Sequence, residues 1–119
     1  MIETEQNQRP QKRRFLLVVD SSKELNPALH FACRRAVKTN GQVALFHALE
    51  PANFRHFAKI AELMETEARS EAEQLLQRIA ADARQQTGEM PIIYLREGNT
   101  IEQLIEVLKQ EDEISVLVL

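Results

Sequence analysis

Five apolar residues, Phe15-Leu16-Leu17-Val18-Val19, run without interruption and stop at Asp20-Ser21-Ser22. A strand with one face in water alternates apolar and polar residues. A short, unbroken, Val-containing run suits a strand covered on both faces, as in a parallel sheet flanked by helices. Asp20 then falls at the carboxyl end of that strand, and this is the edge at which open α/β sheets bind ligands. Two roles for Asp20 stay open. Its carboxylate either accepts hydrogen bonds from a nucleotide's sugar or base, or it bonds the backbone of Ser22 or Lys23 in a turn.

The rest of the chain repeats the alternation that such a sheet requires. After the first strand, residues 14–20, Asn26-Pro27 is expected to open a helix, with Asn as N-cap and Pro at the first helical position. Its inner face carries Ala28, Leu29, Ala32, Cys33 and Ala36, and Asn40-Gly41 closes it with Gly41 as the left-handed cap. Residues 43–49 read as a second buried strand, broken by Glu50-Pro51. A strand, a helix and a strand at this spacing make parallel neighbours joined by a right-handed crossover.

A long helical pattern follows over 54–87, with Phe57, Ala61, Met64, Ala68, Ala72, Leu75, Leu76, Ile79 and Ala83 recurring mostly at three and four. Opposite charges alternate on its other side, and pairs such as Glu65 with Arg69 add a few tenths of a kcal/mol each. A third strand, 90–96, begins with a Pro that suits a sheet edge. A third helix, capped by Asn99 or Thr100, is expected to bury Ile101, Leu104, Ile105 and Leu108. Residues 114–119 form a fourth strand. The expected architecture is therefore an α/β fold, an open and mostly parallel sheet with helices on both faces.

The chain's 119 residues fit one domain, 14–119, preceded by a polar stretch, 1–13, that has almost nothing to bury and is expected to be a flexible tail. A net charge of −3 argues against nucleic acid as a main partner. No apolar run reaches the length of a membrane span, and no secretory signal is visible at the start. Cys33 is the lone cysteine, so neither an intrachain disulfide nor a cysteine metal cluster is available. A cytoplasmic protein is the simplest expectation. Glycine-rich phosphate loops of the dinucleotide and Walker types are absent. His30, His47 and His56 lack metal-site spacing. His47 is expected to be a packed, hydrogen-bonded residue and His56 a surface one.

Three segments in this order resemble the universal stress protein (UspA-like) family. They are FLLVVDSSKELNPALHFACRRA (15–36), QVALFHALEP (42–51) and Glu97-Gly98-Asn99-Thr100 before the third helix. The resemblance spans 14–119. It implies a Rossmann-like three-layer sandwich of the adenine nucleotide alpha hydrolase-like type, with strand order 3-2-1-4. In ATP-binding members of that family, the Asp ending the first strand and the residue after the His of the second line the adenosine pocket. By position these are Asp20 and Ala48, with Ser21 and Ser22 beside them. The family's phosphate-holding glycine run follows the fourth strand, and a fifth strand often mediates dimerisation. Both are expected to be missing from a chain that stops at Leu119.

The resemblance implies a cytosolic regulatory or protective module of the stress response, a homodimer, without nucleic-acid or membrane partners. ATP or another adenine nucleotide is the implied ligand of the full-length form, with weak ATPase activity at most. A ligand-free interaction module of the same fold is the alternative. A nucleotide-hydrolysing or ligase-like α/β enzyme ranks below both, because it would want an early glycine-rich phosphate loop.

Overall fold

The apolar run at Phe15 becomes the second strand from one edge of a four-stranded parallel sheet in a computed structural model, which describes residues 13–20, 24–50, 58–110 and 114–118. For 58–65 and 114–118 the description is of the backbone alone. The elements in chain order are β1 (Arg14–Val18), α1 (Leu25–Thr39), β2 (Gln42–Leu49), α2 (Ala58–Thr87), β3 (Ile92–Glu97), α3 (Thr100–Gln110) and β4 (Ile114–Val118). The strands lie in the order β3-β2-β1-β4. Leu17 pairs with Leu45 of β2 on one side and Val118 of β4 on the other.

The covering of the two faces follows from that order. The chain steps outward from β1 to β2 to β3, so crossovers of one hand place both connecting helices on the same face. It then jumps back past β1 to reach β4, and the reversed direction puts α3 on the opposite face. The buried clusters agree. Phe15, Leu17, Val19, Val43 and Leu45 meet α1 and α2. Leu16, Ala44, Phe46 and Tyr94 meet Leu104 and Val107 of α3. Alternate residues of one strand thus serve opposite faces, and each fully buried Leu or Phe contributes about 1.5–3 kcal/mol by leaving water.

Local details depart from the sequence expectations in four places. Helix α1 starts at Leu25, with Glu24 in the cap position and no side-chain cap bond, so Asn26 is not the N-cap. Pro27 is tolerated in the first turn because its missing N–H belongs to the set that has no intrahelical acceptor. The left-handed residue closing α1 is Asn40, at φ 55°, and not Gly41. Gly41 is small for another reason: a Cβ there would sit 2.7 Å from the Arg13 carbonyl oxygen and 2.8 Å from Phe15 Cε2. The Arg13 carbonyl accepts from Gln42 N–H at 2.7 Å, so this close approach is where β2 begins to pair with β1.

Helix α3 is rotated relative to the expected face. Leu104 and Val107 are buried and Leu108 half-buried, whereas Ile101 is 62% and Ile105 45% exposed. Ala68 on α2 is also exposed, while Ala72, Leu76, Ile79 and Ala83 form the buried stripe. Phe57, Met64, Glu65 and His56 carry expectations that lie outside the described residues or side chains, as do residues 1–12 of the expected tail. Arg69 does form an intrahelical pair, with Glu73 at 3.3 Å.

Cys33 is buried between α1 and the sheet, as expected. Burial, with the Asp82 carboxylate adding, pushes its thiol from 9.0 up to about 11. The unfolded chain therefore releases this proton first as pH rises. The group's contribution to stability is fully present below about pH 9 and is lost as pH climbs through about 11. Urea midpoints should fall over that range, and Cys33→Ala should flatten part of the fall. An identical slope in the variant would assign the loss to other groups.

Candidate functional site

The carboxyl ends of β1 and β2 bring together residues that are far apart in sequence. Beyond β1 the chain stays in register for one more bond, Val19 N–H to the Phe46 carbonyl at 2.7 Å, and then exposes Asp20 at the sheet's edge. Next to it, β2 delivers His47, Ala48, Leu49 and Glu50. An open cavity of about 420 Å³ lies over this edge. Asp20, His47, Ala48 and Glu50 border it from the strands, and Ala68, Glu71, Ala72 and Leu75 form its wall on α2. Thr100, the first residue of α3, also borders it.

Three of these polar groups, His47, Glu50 and Thr100, are held by hydrogen bonds. The His47 ring lies 2.7 Å through Nδ1 from the Val19 carbonyl oxygen. A carbonyl only accepts, so Nδ1 carries a proton and the His47 ring is the donor. Glu50 reaches across to α3: its Oε2 accepts from Thr100 Oγ1 at 2.6 Å and from Thr100 N–H at 3.2 Å. These two bonds hold its carboxyl below the usual range. Asn99 caps the same helix, its Oδ1 accepting from Glu102 N–H at 3.1 Å. Two of the free N–H groups at the start of α3 are thereby satisfied from within the chain. Gly98, at φ 133°, turns the chain from β3 into this cap and donates to the Leu49 carbonyl at 2.9 Å. Few residues other than glycine adopt that conformation.

Two of the four residues expected at a ligand site, Asp20 and Ala48, border one cavity. Ser21 and Ser22 lie outside the described residues. His47, Glu50, Glu71 and Thr100 join them without having been singled out for a ligand. For Glu50 a signal existed, an acid directly at the Glu50-Pro51 strand break. For Glu71, one of many charges along α2, none did. Among the described residues, no group of three or more His, Cys, Asp or Glu side chains is arranged to hold a metal.

Residues 12–119 match the sequence pattern of the universal stress protein family. The chain belongs to that family. Known folds agree with the assignment. The universal stress protein UspA from Lactobacillus plantarum superposes with a TM-score of 0.78 at 14% identity, over 92% of this chain and 77% of its own. A universal stress protein from Archaeoglobus fulgidus gives 0.70 at 17% identity, over 95% and 79%. One whose structure is described as a complex with cAMP gives 0.64 at 14%, over 91% and 71%. At these identities the likeness is one of fold. Curated proteins give no sequence match. Among the described residues, no helix of this universal stress protein is long and apolar enough to cross a membrane.

Proposed function

We propose that this universal stress protein binds the adenosine part of an adenine nucleoside or nucleotide in the cavity at the ends of β1 and β2, as a regulatory or protective module. The observation that carries the reading is that Asp20 and Ala48, 28 positions apart, border one cavity of about 420 Å³ at the carboxyl edge of a parallel sheet. That edge is where open α/β sheets place their ligands. The cavity's volume lies within the range of small-molecule sites. A solved universal stress protein of the same fold is described with cAMP bound, which supports an adenine ligand for this chain.

In this reading Asp20 accepts a hydrogen bond from the ligand, and the backbone at Ala48 lies against the ring system. Ala72 and Leu75 offer it an apolar wall. Occupancy acts by changing a contact surface of the protein or of its homodimer, and turnover is not part of the proposal. Calorimetric titration with adenosine, cAMP and ATP tests it. At least one should bind, and Asp20→Ala should weaken that binding by at least about 1 kcal/mol, the scale of a charge-assisted hydrogen bond. No binding by any of the three, or an affinity unchanged in Asp20→Ala, would sink the reading in favour of a ligand-free interaction module.

A further inference from the structure

Strands β1 and β2 part company at the cavity. Val18 pairs with Phe46 and β1 ends there, whereas β2 runs on to Leu49 beside β3, with His47 opposite Leu95 and Ala48 opposite Arg96. The next residue of the departing chain, Val19, is nevertheless held in three ways. Its side chain is buried in the cluster beneath α1 and α2. Its N–H donates to the Phe46 carbonyl at 2.7 Å. Its carbonyl oxygen accepts from His47 Nδ1 at 2.7 Å, a side-chain bond formed where the strand itself has already stopped.

The consequence falls on Asp20. The Val19 carbonyl and the Asp20 Cα belong to one planar peptide unit, whose atoms move together because rotation about the C–N bond is hindered. With the Val19 Cα held by its buried side chain and its N–H bond, the plane can still swing about the Cα–C bond of Val19. The His47 bond opposes that rotation. It thereby sets the direction in which the chain leaves the sheet and the point from which the Asp20 side chain starts. We infer that His47 is a positioning residue of the binding site: its Nδ1–H, bonded to the Val19 carbonyl, orients the peptide plane that carries Asp20. The inference rests on the adenosine site proposed above and adds the residue that aims its acid. His47 borders the cavity as well, so direct contact with the ligand is the competing role that the test must separate.

Matched substitutions make the separation. Asn carries its amide nitrogen as many bonds from Cβ as Nδ1 lies, so His47→Asn keeps a donor for Val19. Leu has a carbon at that point, and Gln moves the donor one carbon outward. Adenosine is titrated by calorimetry, or by chemical shifts where binding is too weak, with a urea midpoint for each variant so that only folded protein is compared. His47→Leu should bind about three- to tenfold more weakly than wild type, the scale of one net hydrogen bond. His47→Asn should recover most of that loss. Should the Leu variant not fold, His47→Gln takes its place and is expected to bind more weakly than His47→Asn.

A double-mutant cycle with Asp20→Ala decides the role. A residue acting through Asp20 matters little once Asp20 is gone, so in that background His47→Leu should change affinity by less than about twofold. An undiminished loss there assigns His47 a contact of its own with the ligand and overturns the inference while the site stands. An affinity unchanged in His47→Leu, or equally weak in His47→Asn and His47→Leu, overturns it too. Ring nitrogen-15 shifts of ligand-free wild type supply a check independent of binding: Nδ1 should carry a proton, and an unprotonated Nδ1 sinks the inference. If adenosine, cAMP and ATP all fail to bind wild type, the site is gone and the inference with it.

Discussion

Phe46→Ala is expected to destabilise the fold by about 3–5 kcal/mol, a large part of the 5–15 kcal/mol that holds a domain of this size together. Phe46 lies on a strand paired on both sides and is 0% exposed. Among the described residues it belongs to the smaller of two buried clusters, with Leu16, Ala44, Tyr94, Leu104 and Val107. Among the described elements α3 alone covers that face, so truncating the ring removes the centre of the surface on which the helix rests. The neighbours able to fill the space are few, since Ala44 is already small and Tyr94 is tied by its hydroxyl to Arg14 Nη1 at 3.2 Å. Urea denaturation should show a lower midpoint, and exchange of α3 amides should quicken more than that of α1. Ile105→Ala on the exposed side of the same helix is the control, expected to change stability by under about 1 kcal/mol. A loss below about 1 kcal/mol for Phe46→Ala would mean that this cluster does not hold the sheet to α3.

Gly41→Ala is the second large effect, expected to cost about 1–3 kcal/mol through overpacking. Most glycine substitutions act through backbone conformation, but Gly41 has no positive φ. The obstacle is contact. The added methyl would meet a backbone oxygen, Arg13 O, and a buried ring, Phe15 Cε2, at 2.7 and 2.8 Å. Neither is the free end of a flexible side chain. Relief requires moving β1 away from the start of β2, which stretches the 2.7 Å bond from Gln42 N–H to the Arg13 carbonyl. Asn40→Gly, one residue earlier, is the informative comparison. Asn40 sits at φ 55°, a conformation that glycine adopts at no steric cost, so this variant should be neutral or slightly stabilised. Thermal melts that lower Gly41→Ala and spare Asn40→Gly would separate contact from conformation. The reverse order would contradict the packing account.

The two variants also mark what could be read from the chain and what could not. The strands were legible because unbroken apolar runs such as Phe15 to Val19 and Val43 to Phe46 have few other uses in a chain this length. Parallel pairing followed from the helices between them. The face of α3 was not legible, since Ile101, Leu104, Ile105 and Leu108 satisfy a helical period as well as Leu104, Val107 and Leu108 do. Which stripe turns inward depends on where the sheet lies, and periodicity carries no information on that. The start of α1 was misplaced because Asn-Pro fits a helix cap, yet Pro is accepted anywhere in the first turn. Asn40-Gly41 fits a left-handed glycine, yet Asn can take that conformation too, freeing Gly41 to serve close packing.

The site divides in the same way. Asp20 stood out as an acid ending a buried strand, and Ala48 through the family's motif. His47 was expected to be packed and hydrogen-bonded. It is half-buried and bonded to Val19, and it also faces the cavity. The hydrogen bonds at and beside the cavity depend on which partner each group has found: Thr100 on Glu50, Arg69 on Glu97, His47 on Val19. Those pairings join residues 28 to 50 positions apart and leave no local trace. Charge counting along α2 could not distinguish Glu71, at the cavity, from Glu67 or Glu73, which are not part of its lining.

Amide chemical-shift mapping of the protein titrated with adenosine tests the central claim most directly. The account predicts saturable shifts centred on Asp20, Ala48 and Glu50, extending to Glu71 on α2 and Thr100 at the start of α3, and much reduced in Asp20→Ala. Shifts concentrated instead at the opposite edge of the sheet, around Gly41, Gln42 and Met90, or no saturable shifts at all, would contradict it.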